Sequence, residues 1–326
     1  MNRFLTRLFV CLSPALLVAC ALAPSTEKSQ GQVQVPIQAQ PGVVPDAPKL
    51  PAASPPTPEP VPVRVPVPPK LGLALGGGAA RGFAHIGVIQ VLEEAGLRPD
   101  FVAGTSAGSV VAALYASGKS GAQLQQIGES MEEAAITDWT LPVFNSGMLR
   151  GEALAKYVNQ QVGGRVIENM PTSLGIVATD LYSGEMMLFQ RGDTGTAVRA
   201  SSAVPAIFQP VKISGRSYVD GGLVSPVPVR AARRMGGEVV LAIDISSPPD
   251  PSGSGGTIAV LLQTASIMGK SINAFELKEA DVVVRPDLRD VASADFSSRK
   301  RAIEAGRQAM LEALPQLRAA MRAKAR

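Results

Sequence analysis

Two short motifs in this 326-residue chain carry side chains that could perform acyl transfer. The first is GTSAG, residues 104–108, where Ser106 stands between Gly104 and Gly108 in the G-x-S-x-G pattern of a nucleophile elbow. In such an elbow a sharp turn holds the serine hydroxyl out toward the substrate, and bulky neighbours would clash. The same pattern occurs in ordinary tight turns. Because it follows a predicted strand and precedes a predicted helix here, we predict that Ser106 is a nucleophile.

The proton acceptor for this serine must be found elsewhere in the chain, and in most elbow enzymes it is a histidine. His85 is the single histidine, and it precedes Ser106 inside an apolar predicted helix, whereas the histidine of an α/β-hydrolase triad comes last. We therefore interpret His85 as a packing residue. Asp220 in SYVDGG is the best carboxylate candidate, because Gly221 and Gly222 allow a close approach to another loop. An ordinary Asp-Gly turn is the alternative.

A third motif, GGGAARG at residues 76–82, places consecutive backbone amides at the predicted start of a helix. Such amides suit any anion, whether a phosphate or a tetrahedral oxyanion. A dinucleotide-binding loop is the main alternative. It is disfavoured because Ala79 replaces the middle glycine of the register that ends on Gly82, and because Asp100 begins the next strand instead of ending it.

The elements that must position these motifs are short apolar strands alternating with helical stretches. The strands are predicted at LGLAL from Leu71, FVAGT from Phe101, SLGIVATDL from Ser173, EVVLAIDIS from Glu238 and DVVVRPDL from Asp281. This alternation predicts an α/β fold with a mostly parallel sheet covered by helices on both faces. Residues 299–326 read as an amphipathic C-terminal helix that is interrupted near Pro315.

Composition narrows the class of partner. The 31 basic and 27 acidic residues nearly balance, and no basic run is interleaved with aromatic residues, so nucleic acid is not an expected partner. The 46% of hydrophobic residues can fill the core of one large domain. Cys11 and Cys20 are the only cysteines, so no disulfide is expected within the folded part.

The N-terminus has the features of a bacterial lipoprotein signal. Arg3 and Arg7 precede an apolar stretch at residues 8–19, which predicts a cleaved signal peptide over residues 1–19. LVAC resembles a lipobox, so we predict that Cys20 becomes the lipidated first residue, carrying palmitate. The alternatives are an ordinary signal peptide or a short N-terminal anchor. This signal predicts a lipid-anchored protein of the bacterial cell envelope. In a Gram-negative host, the alanine rather than aspartate after Cys20 favours the outer membrane, facing the periplasm.

Proline dominates the segment after this cysteine. Residues 20–69 include PAASPPTPEP and VPVRVPVPP, and proline fixes φ and removes amide donors. We therefore predict that residues 20–69 form a disordered tether. Recognition by a proline-binding partner is the alternative. Residues 70–326 form the predicted catalytic domain.

GGGAARGFAHIG, GTSAGS and DGG, in this order, resemble the bacterial branch of the patatin-like phospholipase family, as do ATDLYSGE from Ala178 and VRASSAVPAIFQPV from Val198. The resemblance implies a three-layer α/β/α fold without metal, cofactor or nucleotide. It implies that Ser106 attacks a lipid acyl ester and that Asp220 takes the proton and later activates water. The implied oxyanion hole consists of amides near Gly77, Gly78 and Ala79. Arg81 matches the family's basic position, where it could orient the loop or meet a phosphate. Many members have glycine where this chain has Ala79.

Together, these motifs and the family resemblance predict a serine acyl hydrolase of the phospholipase, lysophospholipase or esterase type. It would work through a Ser-Asp dyad and an acyl-serine intermediate. The expected partners are a lipid or other acyl-ester substrate and, through the lipid anchor, a membrane surface. An acyltransferase on the same scaffold is the first alternative. A tethered lipoprotein that binds lipid without turnover is the second.

Overall fold

The structure, a computed structural model, describes residues 67–131, 149–247, 256–292 and 295–326. The predicted signal peptide, Cys20 and most of the predicted tether lie outside the described residues. The predicted tether ends at Pro69, and the first strand begins two residues later, at Leu71.

Among the described residues, an eight-stranded sheet forms the centre of the fold. Strands β3, β2, β1, β7 and β8 lie side by side in parallel, while β4 and β6 pair antiparallel with β3, and β5 pairs antiparallel with β6. The strands are β1 Leu71–Leu75, β2 Phe101–Thr105, β3 Ser173–Asp180, β4 Met186–Phe189, β5 Val211–Ile213, β6 Arg216–Asp220, β7 Val239–Ile243 and β8 Val282–Val284.

Eight α-helices are described alongside the sheet, together with short 3-10 turns. They are α1 Ala84–Glu94, α2 Ala107–Ala116, α3 Gly121–Ser130, α4 Glu152–Gln161, α5 Thr194–Ser201, α6 Val229–Arg234, α7 Thr257–Glu276 and α8 Arg299–Ala323. All five predicted strands are present, and they are the five that lie parallel. Helices occur between them because two parallel strands can be joined only by a long crossover connection.

Side chains alternate between two cores on opposite faces of the sheet. In β1, Leu73 and Leu75 pack into the core that contains α1, α2 and α8, whereas Ala74 packs into the core that contains α6. The same alternation in β7 places Leu241 in the first core and Ala242 in the second. Successive strand side chains point to opposite faces, so both faces are covered. The predicted three-layer α/β/α fold with a mostly parallel sheet is confirmed.

The interruption predicted near Pro315 is wrong, because α8 runs without a break from Arg299 to Ala323. An internal proline removes a helix hydrogen bond and costs about 3 kcal/mol. Met310 and Leu317, on either side of Pro315, are fully buried in the first core. Packing of this apolar stripe against the rest of the domain offsets the local cost.

Candidate active site

The two predicted catalytic residues lie where two strands meet end to end. In β2, Thr105 pairs with Val177 of β3, and in β6, Asp220 pairs with Ala178, the next residue of β3. Because β4 pairs with this same part of β3, β2 and β6 must share the opposite edge. The strands run toward each other along that edge, and both end there. Ser106 directly follows β2, so the register brings Ser106 to Asp220.

Ser106 occupies a strained backbone conformation at the start of α2. Its φ of 51° and ψ of −124° lie outside the regions that non-glycine residues ordinarily adopt. The Ser106 N–H donates to Ser201 Oγ at 2.9 Å, and Ser201 Oγ in turn donates to the Val177 carbonyl at 2.5 Å. Ser109 Oγ donates to the Ser106 carbonyl at 2.6 Å. These bonds hold the elbow on both sides of the serine.

The elbow glycines permit a close approach that no larger residue would allow. A Cβ on Gly104 would lie 2.5 Å from the Gly108 carbonyl oxygen. A Cβ on Gly108 would overlap the Leu75 carbonyl oxygen and lie 2.6 Å from that of Gly76. Gly104 is therefore required because the first turn of α2 packs against it, and Gly108 because α2 begins directly against the end of β1. The structure thus gives the G-x-S-x-G pattern a steric reason.

The Asp220 carboxylate is nearly buried, with 7% of the residue exposed. Its Oδ1 accepts the Gly222 N–H at 2.7 Å, while no hydrogen-bond partner among the described residues reaches Oδ2. Burial raises the pKa of Asp220 to about 6, although interactions with the Ser106 hydroxyl and the Gly222 amide act to lower it. The hydroxyl is thus close to a carboxylate oxygen that still has an open acceptor position, and such contacts often tighten only when substrate binds.

Backbone contacts fix the position of this aspartate. The Asp220 N–H donates to the Ala203 carbonyl at 3.0 Å, and Thr179 Oγ1 donates to the Asp220 carbonyl at 2.8 Å. A Cβ on Gly221 would overlap the Val177 carbonyl oxygen, so this position requires glycine. Gly221 serves close packing and Gly222 supplies a donor, which distinguishes the site from a free Asp-Gly turn.

The glycine loop lies against the serine, but one of its predicted oxyanion donors is already engaged. A Cβ on Gly77 would lie 3.2 Å from the Ser106 Cβ, so this part of the loop adjoins the elbow. The Gly77 N–H, however, donates to the Pro226 carbonyl at 2.9 Å. Because a single N–H cannot serve both acceptors well, the Gly77 amide would have to leave Pro226 to join the oxyanion hole, and its role there stays a prediction.

The next two amides of the loop remain available. No acceptor within the described part of the chain takes the N–H of Gly78 or of Ala79. Ala79 adopts a positive φ of 50°, where a Cβ costs roughly 1 kcal/mol or more. Alanine therefore occupies the conformation for which glycine is better suited, and the loop keeps its shape at that cost. Of the three predicted donors, Gly78 and Ala79 are therefore the two whose amides are free in this conformation.

Arg81 points away from solvent and fastens this loop to the rest of the domain. Its guanidinium donates from Nη1 to Ser247 Oγ at 2.6 Å and from Nη2 to the Leu288 carbonyl at 2.8 Å. Burial lowers the pKa of Arg81, while the charge of Asp244 acts in the opposite direction. Of the two roles considered for Arg81, the contacts support orientation of the loop over contact with a phosphate.

His85 lies beneath the same loop as a fully buried residue. Its Nε2 is 2.8 Å from the Gly76 carbonyl oxygen, which identifies the protonated nitrogen of the neutral ring as Nε2. Burial lowers the pKa of His85 to about 4, although the Gly76 hydrogen bond acts to raise it. The structure therefore places this histidine where the sequence predicted, in packing, with its polar contact to the loop and not to the serine.

Two hydroxyl residues that support the elbow were missed from sequence. Ser201 accepts the Ser106 N–H, and Thr105 Oγ1 donates to the Ser225 carbonyl at 2.8 Å. Ser201 lies in the VRASSAVP segment, whose run of small residues was the only signal that something packs closely there. Within the described residues, no group of three or more His, Cys, Asp and Glu side chains could hold a metal ion.

Comparisons with known proteins agree on one family. A family model described as patatin-like phospholipase matches residues 73–233. An uncharacterized NTE family protein of Mycobacterium tuberculosis is 36% identical over 179 residues, which are 55% of this chain and 49% of that protein. Patatin-like phospholipase domain-containing protein 6 of Mus musculus is 32% identical over 231 residues, covering 68% of this chain and 16% of that protein.

A solved structure shares the fold at low sequence identity. VipD from Legionella pneumophila superposes with a TM-score of 0.50 at 15% identity, covering 77% of this chain and 67% of that chain. This similarity shows the fold alone. The chain spans about half or less of the length of the curated relatives it matches.

Proposed function

Because this chain belongs to the patatin-like phospholipase family, we propose that it is a serine acyl hydrolase that cleaves lipid acyl esters with Ser106 as nucleophile and Asp220 as base. The observation that carries the proposal is the meeting of these two residues at the facing ends of β2 and β6. This meeting leaves the Ser106 hydroxyl next to a buried carboxylate whose Oδ2 has no hydrogen-bond partner among the described residues.

In the acylation step, Asp220 accepts the proton of the Ser106 hydroxyl as Oγ attacks the ester carbonyl carbon. The carbonyl oxygen gains negative charge, and the free amides of Gly78 and Ala79 are the donors that would stabilise it. When the tetrahedral intermediate collapses, the alcohol leaves with the proton that Asp220 had taken. The acyl group remains on Ser106 as an ester.

In the deacylation step, Asp220 takes a proton from water, and the resulting nucleophile attacks the acyl-serine carbonyl. The second tetrahedral intermediate releases the fatty acid, and Ser106 Oγ recovers its proton from Asp220. A base with a pKa of about 6 suits both steps. It is ionised at neutral pH, yet it is a stronger base than an exposed aspartate.

Hydrolysis of a soluble short-chain ester by the full chain tests this assignment. We expect Ser106→Ala and Asp220→Asn to lower kcat by at least about 100-fold, the ordinary contribution of a general base. His85→Asn should keep activity within about tenfold, because the imidazole of His85 contacts Gly76 and not the serine. Loss of activity in His85→Asn alone, with Asp220→Asn still active, would contradict the dyad.

The products distinguish hydrolysis from acyl transfer on the same acyl-serine. Incubation of the protein with a phospholipid and an acceptor lipid should release free fatty acid. Acylated acceptor in place of fatty acid would assign the chain as an acyltransferase. Binding of phospholipid without either product would assign it as the non-catalytic lipoprotein.

Lipid anchoring at Cys20, the tether of residues 20–69 and a location in the bacterial cell envelope remain predictions from the N-terminal sequence. We propose that the anchor holds the catalytic domain near a membrane that contains its substrate. Metabolic labelling with palmitate should mark the full chain and should disappear in Cys20→Ala. Labelling that persists in Cys20→Ala would refute the assignment.

A further inference from the structure

Helix α7, Thr257–Glu276, exposes apolar side chains to solvent along most of its length. Within the described residues it is the one helix long and apolar enough to cross a membrane, yet only 6% of its most apolar stretch is buried. The exposed large side chains are Ile258, Val260, Leu261, Ile267, Met268 and Phe275. A surface helix ordinarily turns such residues toward the core and keeps charged residues outside. An exposed apolar face of this kind marks an interaction site.

Hydrogen bonds near the C-terminal end of α7 attach the inner side of the helix to the domain. The buried carboxylate of Glu276 accepts Ser225 Oγ at 2.7 Å, and Asn273 Nδ2 donates to Ser246 Oγ at 2.9 Å. A helix that crossed a bilayer would have to pull these side chains out of the fold. The attachment therefore favours a helix that lies on a surface over one that spans it.

The charges on α7 favour an anionic surface. Over the whole helix the only charged residues are Lys270, which is exposed, and Glu276, which is buried. Lys278, just beyond the helix, extends over the Phe275 ring at 5.3 Å from its centroid. No carboxylate among the described residues forms an ion pair with either lysine. Lysines that flank an exposed apolar face are the pattern of helices that lie at the interface of membranes with anionic lipids.

The attachment of α7 also connects it to the catalytic residues. The Ser225 hydroxyl donates to Glu276, while the Ser225 carbonyl accepts a hydrogen bond from the Thr105 hydroxyl. The carbonyl of the next residue, Pro226, accepts a hydrogen bond from the Gly77 N–H. A surface pocket of about 380 Å³ lies between the turn after Asp220 and the helix, lined in part by Leu223, Val224, Ile272 and Phe275. The C-terminal end of the apolar face thus adjoins the segment that holds both halves of the candidate site.

We propose that the exposed face of α7 docks on a phospholipid surface with an anionic component and holds the candidate active site against it. The proposal rests on the proposed function for its biological sense, since a lipid hydrolase must reach esters that are embedded in a bilayer. It is independent of lipidation at Cys20. The apolar side chains from Val260 to Phe275 would enter the interface, and Lys270 and Lys278 would face the lipid phosphates.

A site-specific fluorescent probe tests the contact directly. Cys11 and Cys20 are the only native cysteines, so full-length Cys11→Ser/Cys20→Ser protein accepts a single new cysteine and has no lipidation site. Met268→Cys places an environment-sensitive nitrobenzoxadiazole group on the exposed face of α7. Leu311→Cys, at an exposed leucine of α8, is the matched control. Ser106→Ala in both proteins makes the readout independent of turnover.

Vesicles of phosphatidylcholine with phosphatidylglycerol should raise the fluorescence at residue 268 by about twofold or more, because the probe leaves water for the acyl boundary. Nitroxide-labelled lipids should quench this signal, and the probe at residue 311 should respond to neither. Binding to phosphatidylcholine alone should be weaker, on the order of tenfold. An unchanged signal at residue 268 would overturn the proposal. A rise without vesicles that depends on protein concentration would overturn it in favour of a second copy of the chain.

A variant that places charges on the apolar face provides a second readout. Leu261→Glu/Ile267→Glu, in the same background, should reduce vesicle binding by at least about tenfold, since charged groups enter the bilayer interface poorly. Thermal unfolding of this variant checks that the domain remains folded. Undiminished vesicle binding in the folded variant would also overturn the proposal. Failure of the proposed function would appear separately, as absence of soluble ester hydrolysis by the unmodified chain.

Discussion

Ser106 and Asp220 stand at the facing ends of two strands that share one edge of β3. Thr105, just before the serine, pairs with Val177, and Asp220 pairs with the adjacent Ala178. The proximity of these two residues is therefore produced by sheet register, and a shift of either strand by one residue would turn its side chains to the opposite face. The following predictions depend on this arrangement.

The activity should depend on pH through Asp220. Because burial raises the pKa of this carboxyl to about 6, kcat/KM for a soluble ester should rise with pH through about 6 and then level off. Well below that pH it should fall about tenfold per unit. His85, whose pKa is lowered to about 4, should not contribute near pH 6, so His85→Asn should keep the same profile. If the decrease in kcat/KM below about pH 6 disappeared in His85→Asn, the assignment of Asp220 as the base would be contradicted.

The same burial of Asp220 should lower the free energy of unfolding at neutral pH. A carboxyl pKa raised from 3.8 to about 6 means that the folded state binds the proton more tightly than the unfolded state. The free energy of unfolding should therefore fall as pH rises from about 4 to 6, and the loss amounts to about 3 kcal/mol above pH 6.

Denaturant unfolding of Asp220→Asn against the unmodified chain measures this cost. The variant should be the more stable protein at pH 8, by about 1 to 3 kcal/mol, with the gain vanishing near pH 4. Equal stability of the two proteins at pH 8 would show that the carboxylate is not desolvated.

Ser201 should act on catalysis by positioning the elbow. Ser201→Ala removes the acceptor of the Ser106 N–H and should lower kcat by about 10- to 100-fold with little change in KM, since the nucleophile is misplaced while substrate binding is kept. Ser202→Ala is the matched control, because its hydroxyl forms no hydrogen bond with the described residues. If Ser201→Ala and Ser202→Ala changed kcat equally, a positioning role for Ser201 would be contradicted.

Gly108 should tolerate no side chain. In Gly108→Ala the new methyl group would overlap the Leu75 carbonyl oxygen, so the free energy of unfolding should fall by about 3 kcal/mol or more. Gly269→Ala in α7 is the control, because its methyl group would lie 3.5 Å from Pro226 Cγ in ordinary contact. That change should be neutral or stabilising by up to about 1 kcal/mol. Thermal and denaturant unfolding compare the two variants.

The parallel strands and both catalytic candidates were accessible from sequence because each carries a local signal. Buried parallel strands are continuous apolar runs, and the elbow and the DGG turn are constrained by their own glycines. β5 has only three residues and β4 lacks polar alternation, so neither differs enough from a loop for the antiparallel edge to be predicted.

The remaining features depend on contacts between distant segments. The Gly77 amide is engaged by Pro226, and the Ser106 amide by Ser201, pairs far apart in the chain. The apolar composition of α7 would have favoured a core helix, and only the fold reveals that its apolar face is exposed. Local pattern determines which elements form, and tertiary packing determines which groups remain free for chemistry.

The most direct test of the central claim is covalent labelling by a fluorophosphonate, followed by mass spectrometry of the intact chain and its peptides. The reagent phosphonylates a serine only when a base activates its hydroxyl. We expect one adduct, on Ser106, which is absent in Ser106→Ala, slowed by at least about 100-fold in Asp220→Asn and retained in His85→Asn. An adduct on a different serine, or labelling of Ser106 that does not change in Asp220→Asn, would contradict the Ser106–Asp220 dyad.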